Sequence, residues 1–139
     1  VKKIIIIFTV LLIILTACES PLNNKYSFSD PISAYEWICE NFVFENVGYN
    51  SPTKTLEIRK GDCYTLSMLF CHLLQDAYSP EIVVGVIQGT WHAIAKIDGT
   101  YYDLGMRGYG KKSPFEGGFS ISMPWRMAKG YRWYANFVE

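Results

Sequence analysis

The sequence predicts an α+β domain in which N-terminal helices pack on an antiparallel sheet, and three observations carry that expectation. After Cys63 the apolar residues Leu66, Leu69, Phe70, Leu73 and Leu74 recur at helical spacing, the stripe of a helix lying on a core. The run from Glu81 to Ile87 is short and rich in β-branched residues, as a buried strand is. Asp98-Gly99 then stands between two strand-like runs, a strong signal for a two-residue hairpin.

Composition fits one packed domain. Half of the 139 residues are hydrophobic and 16% are aromatic, too apolar for a disordered tail. Thirteen basic residues balance thirteen acidic ones, so no basic field argues for nucleic acid as a partner.

At the start, Val1-Lys2-Lys3 is basic and Ile4 to Leu15 is almost wholly apolar. That run falls short of the ~20 residues that span a bilayer but suits the core of a signal peptide. Leu15-Thr16-Ala17-Cys18 follows and resembles the lipobox of bacterial lipoproteins. The resemblance implies that residues 1–17 are a signal peptide and that Cys18 carries lipid. It also implies anchorage in the bacterial cell envelope, facing the periplasm or the exterior, with the membrane as a partner through that lipid. A buried N-terminal strand is the structural alternative. Residues 18–29 are polar and read as a tether, leaving 30–139 as the domain. Export favours disulfides; Cys39 and Cys71 are either a bonded pair or two small buried hydrophobes.

Asp30-Pro31 opens a helix, a carboxylate cap followed by proline at the first helical position. Its stripe is Ile32, Tyr35, Ile38, Cys39 and Phe42, and its end falls near Asn41 or Phe44. Val47 to Lys60 shows little periodicity and reads as a connector. Gly61 and the expected N-cap Asp62 place Cys63 as the first residue of the next helix, beside the positive end of its dipole. Helix N-termini and nearby cations lower a thiol pKa from ~8.5, so a nucleophile here is well placed. That helix should stop near Asp76 or Ala77, because Pro80 disfavours helical backbone at Ser79.

The strands follow. Gly89-Thr90 breaks the first from a second at Trp91 to Ile97, and Thr100 to Leu104 returns from the hairpin. With Asp98 and Gly99 as the loop, Ile97 faces Thr100, Lys96 faces Tyr101 and Ala95 faces Tyr102. His92 and Asp103 then become diagonal neighbours on one face, within reach of a hydrogen bond, and Gly105 opposite His92 leaves room above the ring. From Gly105 to Gly118 a glycine-rich, basic loop flanks the site. Phe119 to Ser122 and Tyr131 to Val138 read as closing strands.

A thiol at a helix start needs a base, and the base needs an orienting group. Cys63, His92 and Asp103 supply the three in order. Packing readings stand beside these: Asp62 is a cap first, His72 a surface residue, Lys111-Lys112 a solvated pair. Trp125, Tyr131, Trp133, Tyr134 and Phe137 read as core and strand surface. Cys63, Cys71, His72 and His92 lack the paired spacing of a zinc site, and no metal or organic cofactor is implied.

Taken together, Ser51-Pro52-Thr53-Lys54-Thr55-Leu56, Gly61-Asp62-Cys63, Val83-Val84-Gly85-Val86, Trp91-His92-Ala93 and Gly99-Thr100-Tyr101-Tyr102-Asp103 resemble the transglutaminase-like core of the papain-like superfamily, over roughly Asp30 to Leu104. The resemblance implies a papain-like/transglutaminase-like fold with Cys63 as nucleophile, His92 as general base and acid, and Asp103 as the carboxylate that orients it. Two departures are visible: Tyr78-Ser79-Pro80 where glycine often precedes the strand, and Ile94 where an aromatic often follows His-Ala. The backbone N–H of Cys63 is the natural half of the oxyanion hole, with a side chain from the 55–60 segment or Trp91 as its candidate partner and Trp91 also as a candidate substrate contact. The activity implied is thiol-dependent acyl transfer at a peptide amide, as a cysteine protease or amidase, by a monomer acting on a peptide or protein substrate. A protein-glutamine transglutaminase or a catalytically silent binding lipoprotein of the same fold are the alternatives.

Overall fold

The structure, a computed structural model, describes residues 25–26 and 28–128. The lipobox-like segment, Cys18 and the expected strand at 131–138 lie outside the described residues, with Tyr131, Trp133, Tyr134 and Phe137.

Helix α1 (Pro31–Asn41) begins as its capping signal requires, with the Asp30 carboxylate accepting from the Ser33 amide at 2.9 Å. Its buried side chains are Ala34, Tyr35 and Ile38, with Phe42 just beyond its end. Ile32, expected in the stripe, is exposed instead, and Ala34 takes the inward position. Ahead of the helix, Tyr26 and Phe28 pack their rings against Trp37 at 5.0 and 5.3 Å between centroids.

The connector expected at Val47 to Lys60 is in fact structured. Strand β1 (Val43–Phe44) pairs in parallel with β2 (Lys60–Gly61), and helix α2 (Pro52–Ile58) lies between them. Ser51 caps α2 by accepting from the Lys54 amide, and Pro52 is its first residue, the same device that starts α1. Arg59 ends it in the left-handed region, at φ 58°. Its guanidinium lies over the rings of Trp37 and Phe42 at 5.1 and 4.9 Å, which ties α2 to α1.

Helix α3 (Cys63–Leu74) is the central element, and Tyr64 through Cys71 are all buried in it. It ends at Leu74, two residues short of the expected stop, and Gln75 to Ala77 form a turn. Against it lies a five-stranded sheet of β3 (Glu81–Ile87), β4 (Thr90–Ile97), β5 (Thr100–Asp103), β6 (Gly108–Gly110) and β7 (Ser120–Pro124) in the order β6-β5-β4-β3-β7. Every neighbouring pair is antiparallel. The fold is therefore α+β, helices on a sheet, as the sequence predicts.

The hairpin register also follows the expectation: Ile97 faces Thr100, Lys96 faces Tyr101 and Ala95 faces Tyr102. Asp98 and Gly99 both have positive φ, 48° and 76°, the turn whose twist matches its strands. The break after β3 is another such turn, through Gln88 and Gly89, so that Ile87 pairs Thr90. The returning strand stops at Asp103, one residue early, because the chain turns there. The glycine-rich loop is partly strand, since β6 pairs with β5, and a short 3-10 turn (Glu116–Gly118) leads to β7, which starts and ends later than expected. A short helix α4 (Trp125–Ala128) follows, with Trp125 buried.

The core sits between α3 and the sheet. Met68, Leu69, Phe70 and Leu74 meet Ile82, Val84, Ala93, Ala95, Ile97, Tyr102 and Leu104 in one buried cluster. Small residues at 93 and 95 let the helix approach β4, where the Ser67 hydroxyl donates to the Ala93 carbonyl at 3.4 Å. Cys71 is fully buried in this cluster and Cys39 half-buried outside it; both are free thiols. His72 is half-buried rather than on the surface, its ring edge-on to Trp125 at 5.9 Å.

Candidate active site

Three local rules position Cys63. The Asp62 carboxylate accepts from the Thr65 amide at 2.8 Å, closing the cap, and the Asp62 carbonyl takes the first intrahelical bond from Leu66. Gly61 is squeezed against the helix it precedes: a Cβ there would lie 3.0 Å from Leu66 Cδ2 and 3.1 Å from Thr65 Cγ2. Cys63 is thus the first helical residue, its N–H among those that a helix cannot satisfy from within. It is 3% exposed.

His92 and Asp103 meet as the hairpin register requires. His92 Nε2 and Asp103 Oδ1 lie 2.8 Å apart, with both side chains nearly buried at 11% and 12% exposure. Oδ1 also accepts from the amides of Gly105 and Met106 at 3.0 and 2.8 Å, so the turn after β5 locks the carboxylate in place. Contacts with α1 and its end brace that turn. Tyr35 donates its hydroxyl hydrogen to the Asp103 carbonyl, and Arg107 donates to the carbonyls of Cys39 and Phe42 at the end of α1.

Strict alternation puts His92 on the face of β4 that does not pack on α3, alongside Ile94. The ring nevertheless reaches the tip of α3 because Gly105 separates them and has no side chain. A Cβ on Gly105 would lie 2.9 Å from His92 Cε1, 3.0 Å from Phe44 Cε2 and 3.3 Å from Cys63 Cβ. Gly105 is the junction at which the helix start, the His92 strand and β1 converge. A side-chain hydrogen bond joins His92 to Cys63. With Nε2 engaged by the carboxylate, Nδ1 is the nitrogen left for the sulfur.

Burial draws the His92 pKa down, but the hydrogen bond to Asp103, then the hydrogen bond and charge of Cys63, then the charge of Asp103 outweigh it. Together they push it up to about 10 from its ordinary 6.5. The ring is cationic at neutral pH, the charge an anionic sulfur would pair with. Close by, burial pushes the Tyr64 hydroxyl up to about 12; it donates to the Ala128 carbonyl at 2.6 Å.

The three side chains picked out by sequence thus come together. Trp91, the candidate substrate contact, is half-buried at the start of β4 and packs against the main core. Phe44 and Tyr35 were not found by sequence reasoning, and Arg107 was expected only as part of the basic loop flanking the site, not as its tie to the end of α1. Phe44 reaches the site only through the parallel β1–β2 pairing, which no local pattern announces, and Tyr35 looked like one more core aromatic. Among the described residues no three His, Cys, Asp or Glu side chains are grouped to hold a metal ion. Among them, too, no helix is long and apolar enough to cross a membrane.

No protein-family model and no curated protein matches the chain. Among solved structures it is similar to a protein of Cytophaga hutchinsonii described as a "Putative Cysteine Protease", at 18% identity and a TM-score of 0.48, over 67% of this chain and 41% of that one. The match spans well under two thirds of that neighbour's length.

Proposed function

We propose that the protein is a thiol-dependent acyl-transfer enzyme of transglutaminase-like type that cleaves peptide amide bonds, with Cys63, His92 and Asp103 as its triad. The observation that carries this reading is the single chain of contacts from the Cys63 thiol through the His92 ring to the Asp103 carboxylate. Sulfur at a helix start, an imidazole bonded to it and a fixed carboxylate behind that imidazole are the parts nucleophilic catalysis needs.

In this reading the Cys63 sulfur attacks the amide carbon and forms a C–S bond, and the oxyanion is met by the Cys63 N–H. His92 gives its proton to the departing amine as the C–N bond breaks. It then takes a proton from water, which cleaves the thioester to acid and free thiol. A primary amine in place of water would make the reaction a transamidation. Trp91 stays with this reading as a substrate contact. The lipobox resemblance adds a lipid on Cys18, placing the enzyme at the surface of a bacterial envelope membrane.

The test is iodoacetamide labelling of the full chain against pH, beside hydrolysis of a blocked peptide-amide library with and without a primary amine tracer. Cys63 is expected to label faster in the native protein than in His92→Ala. Hydrolysis is expected to fall by about 10³-fold or more in Cys63→Ala. Labelling at the rate of an ordinary thiol, unchanged by His92→Ala, would refute the reading. Tracer incorporation in place of hydrolysis would assign the amine as acceptor.

A further inference from the structure

On the face of the sheet turned away from α3, residues of β4, β5, β6 and the chain flanking β6 line an open groove of about 440 Å³. Ile87, Ile94, Tyr101 and Met106 give it an apolar lining, while the Tyr109 ring lies on the other face, stacked on Tyr102. Asp103 closes one end, and Lys111 and Lys112 line it from the loop. The volume falls within the range of small-ligand clefts.

Charge decides what fits. The Asp103 carboxylate is occupied, since its Oδ1 already accepts from His92 and from two amides. Its charge is offset by the cationic His92 ring. Lys96, on the same face, is paired with Glu81 at 3.5 Å. Lys111 and Lys112 are exposed and make no ion pair with the described residues, so the groove carries a net positive charge that no described carboxylate pairs.

Taking Cys63 as the nucleophile, we propose that this groove is a specificity subsite on the carboxylate side of the triad. It seats an apolar side chain of a peptide substrate and pairs a neighbouring acidic side chain with Lys111 and Lys112. Asp103 is the physical link: the wall of the groove is the residue that orients the base. A substrate filling the groove therefore lies against Asp103, the carboxylate bonded to His92.

The test separates binding from catalysis. The full chain carrying Cys63→Ala is titrated calorimetrically at low ionic strength with two blocked mixtures, Ac-Ala-Xaa-Glu-Xaa-Ala-NH2 and Ac-Ala-Xaa-Gln-Xaa-Ala-NH2, where Xaa is Leu, Met, Phe or Tyr. The Glu mixture is expected to bind about three- to tenfold more tightly, the scale of two partly screened ion pairs. Lys111→Gln with Lys112→Gln should erase the difference while leaving the circular dichroism spectrum unchanged, as both side chains are exposed. Equal binding of the two mixtures, binding of neither, a preference that survives the lysine changes, or displacement of the Glu mixture by short oligothymidylate would each overturn the subsite. Lysine-dependent preference without turnover by the native protein would uphold the subsite and sink the enzyme. Turnover that ignores the acidic residue would do the reverse.

Discussion

The two faces of the sheet are built differently although the same strands make both. On the face that meets α3, Ile82, Val84, Ala93, Ala95, Ile97, Tyr102 and Leu104 join a large cluster with the helix. On the other face, among the described residues, only Val83, Ile94 and Phe115 are buried together, Phe115 coming from the loop that leads to β7. The first face is sealed by a regular element whose whole stripe is apolar. The second is roofed by irregular chain that covers part of it and leaves a groove. The sealed face fixes where α3 lies, and hence where Cys63 stands. The open face carries His92 and Asp103 and leaves room beside them. The site forms at the boundary, where Gly105 lets a residue of one face touch a residue of the other.

That asymmetry can be broken most severely on the sealed side. Phe70 is 0% exposed and packs on the Tyr102 ring at 5.0 Å. Phe70→Ala should cost about 3–5 kcal/mol in urea unfolding, and Phe115→Ala, from the smaller cluster, should fall at or below the low end of that range. Equal losses would mean that the two faces share the stability evenly.

The boundary itself is probed by Gly105→Ala. The added methyl would press on His92 Cε1, Phe44 Cε2 and Cys63 Cβ, so the ring must move by a few tenths of an ångström or more. Peptide hydrolysis should fall by about a hundredfold, as misplaced catalytic groups do, while the urea midpoint shifts only modestly. A large loss of stability with little loss of rate would make Gly105 a packing residue alone.

The smallest effect expected is electrostatic and belongs to the open face. Because the folded His92 titrates near 10 instead of 6.5, its proton stabilises the fold. That contribution is complete below pH 6.5 and is lost as pH rises through about 10. Native protein should therefore exceed His92→Gln in stability at low pH by on the order of 1 kcal/mol, after screening at the ring's wet edge, and the margin should close at high pH. A margin that grows with pH would mean that the ring is held neutral.

Much of this was legible in sequence for a physical reason that differs by region. The start of α3 rests on contacts within four residues, Asp62 to Thr65 and Leu66, so the residues themselves announce it. The His92–Asp103 pair rests on a two-residue turn, and a turn transmits register along both strands. By contrast, α2 went unseen although Ser51-Pro52 signals it as plainly as Asp30-Pro31 signals α1. A helix from Pro52 to Ile58 is too short to display a stripe. The parallel β1–β2 pair is held by Val43 donating to Arg59 and Glu45 donating to Gly61, bonds between segments that nothing local relates.

By itself, then, the sequence determined the α+β class, the capped start of α3 with Cys63 at its tip, and the hairpin that pairs His92 with Asp103. Each depends on backbone preferences over a few neighbouring residues. Only the tertiary structure decided that the thiol meets the imidazole, that Phe44 and Arg107 border or brace them, and that a lysine-rimmed groove lies behind Asp103. Those depend on how closely α3 settles on Ala93 and Ala95 and on where the loop after Gly105 comes to rest, and packing of distant segments leaves no periodic trace in the chain that makes it.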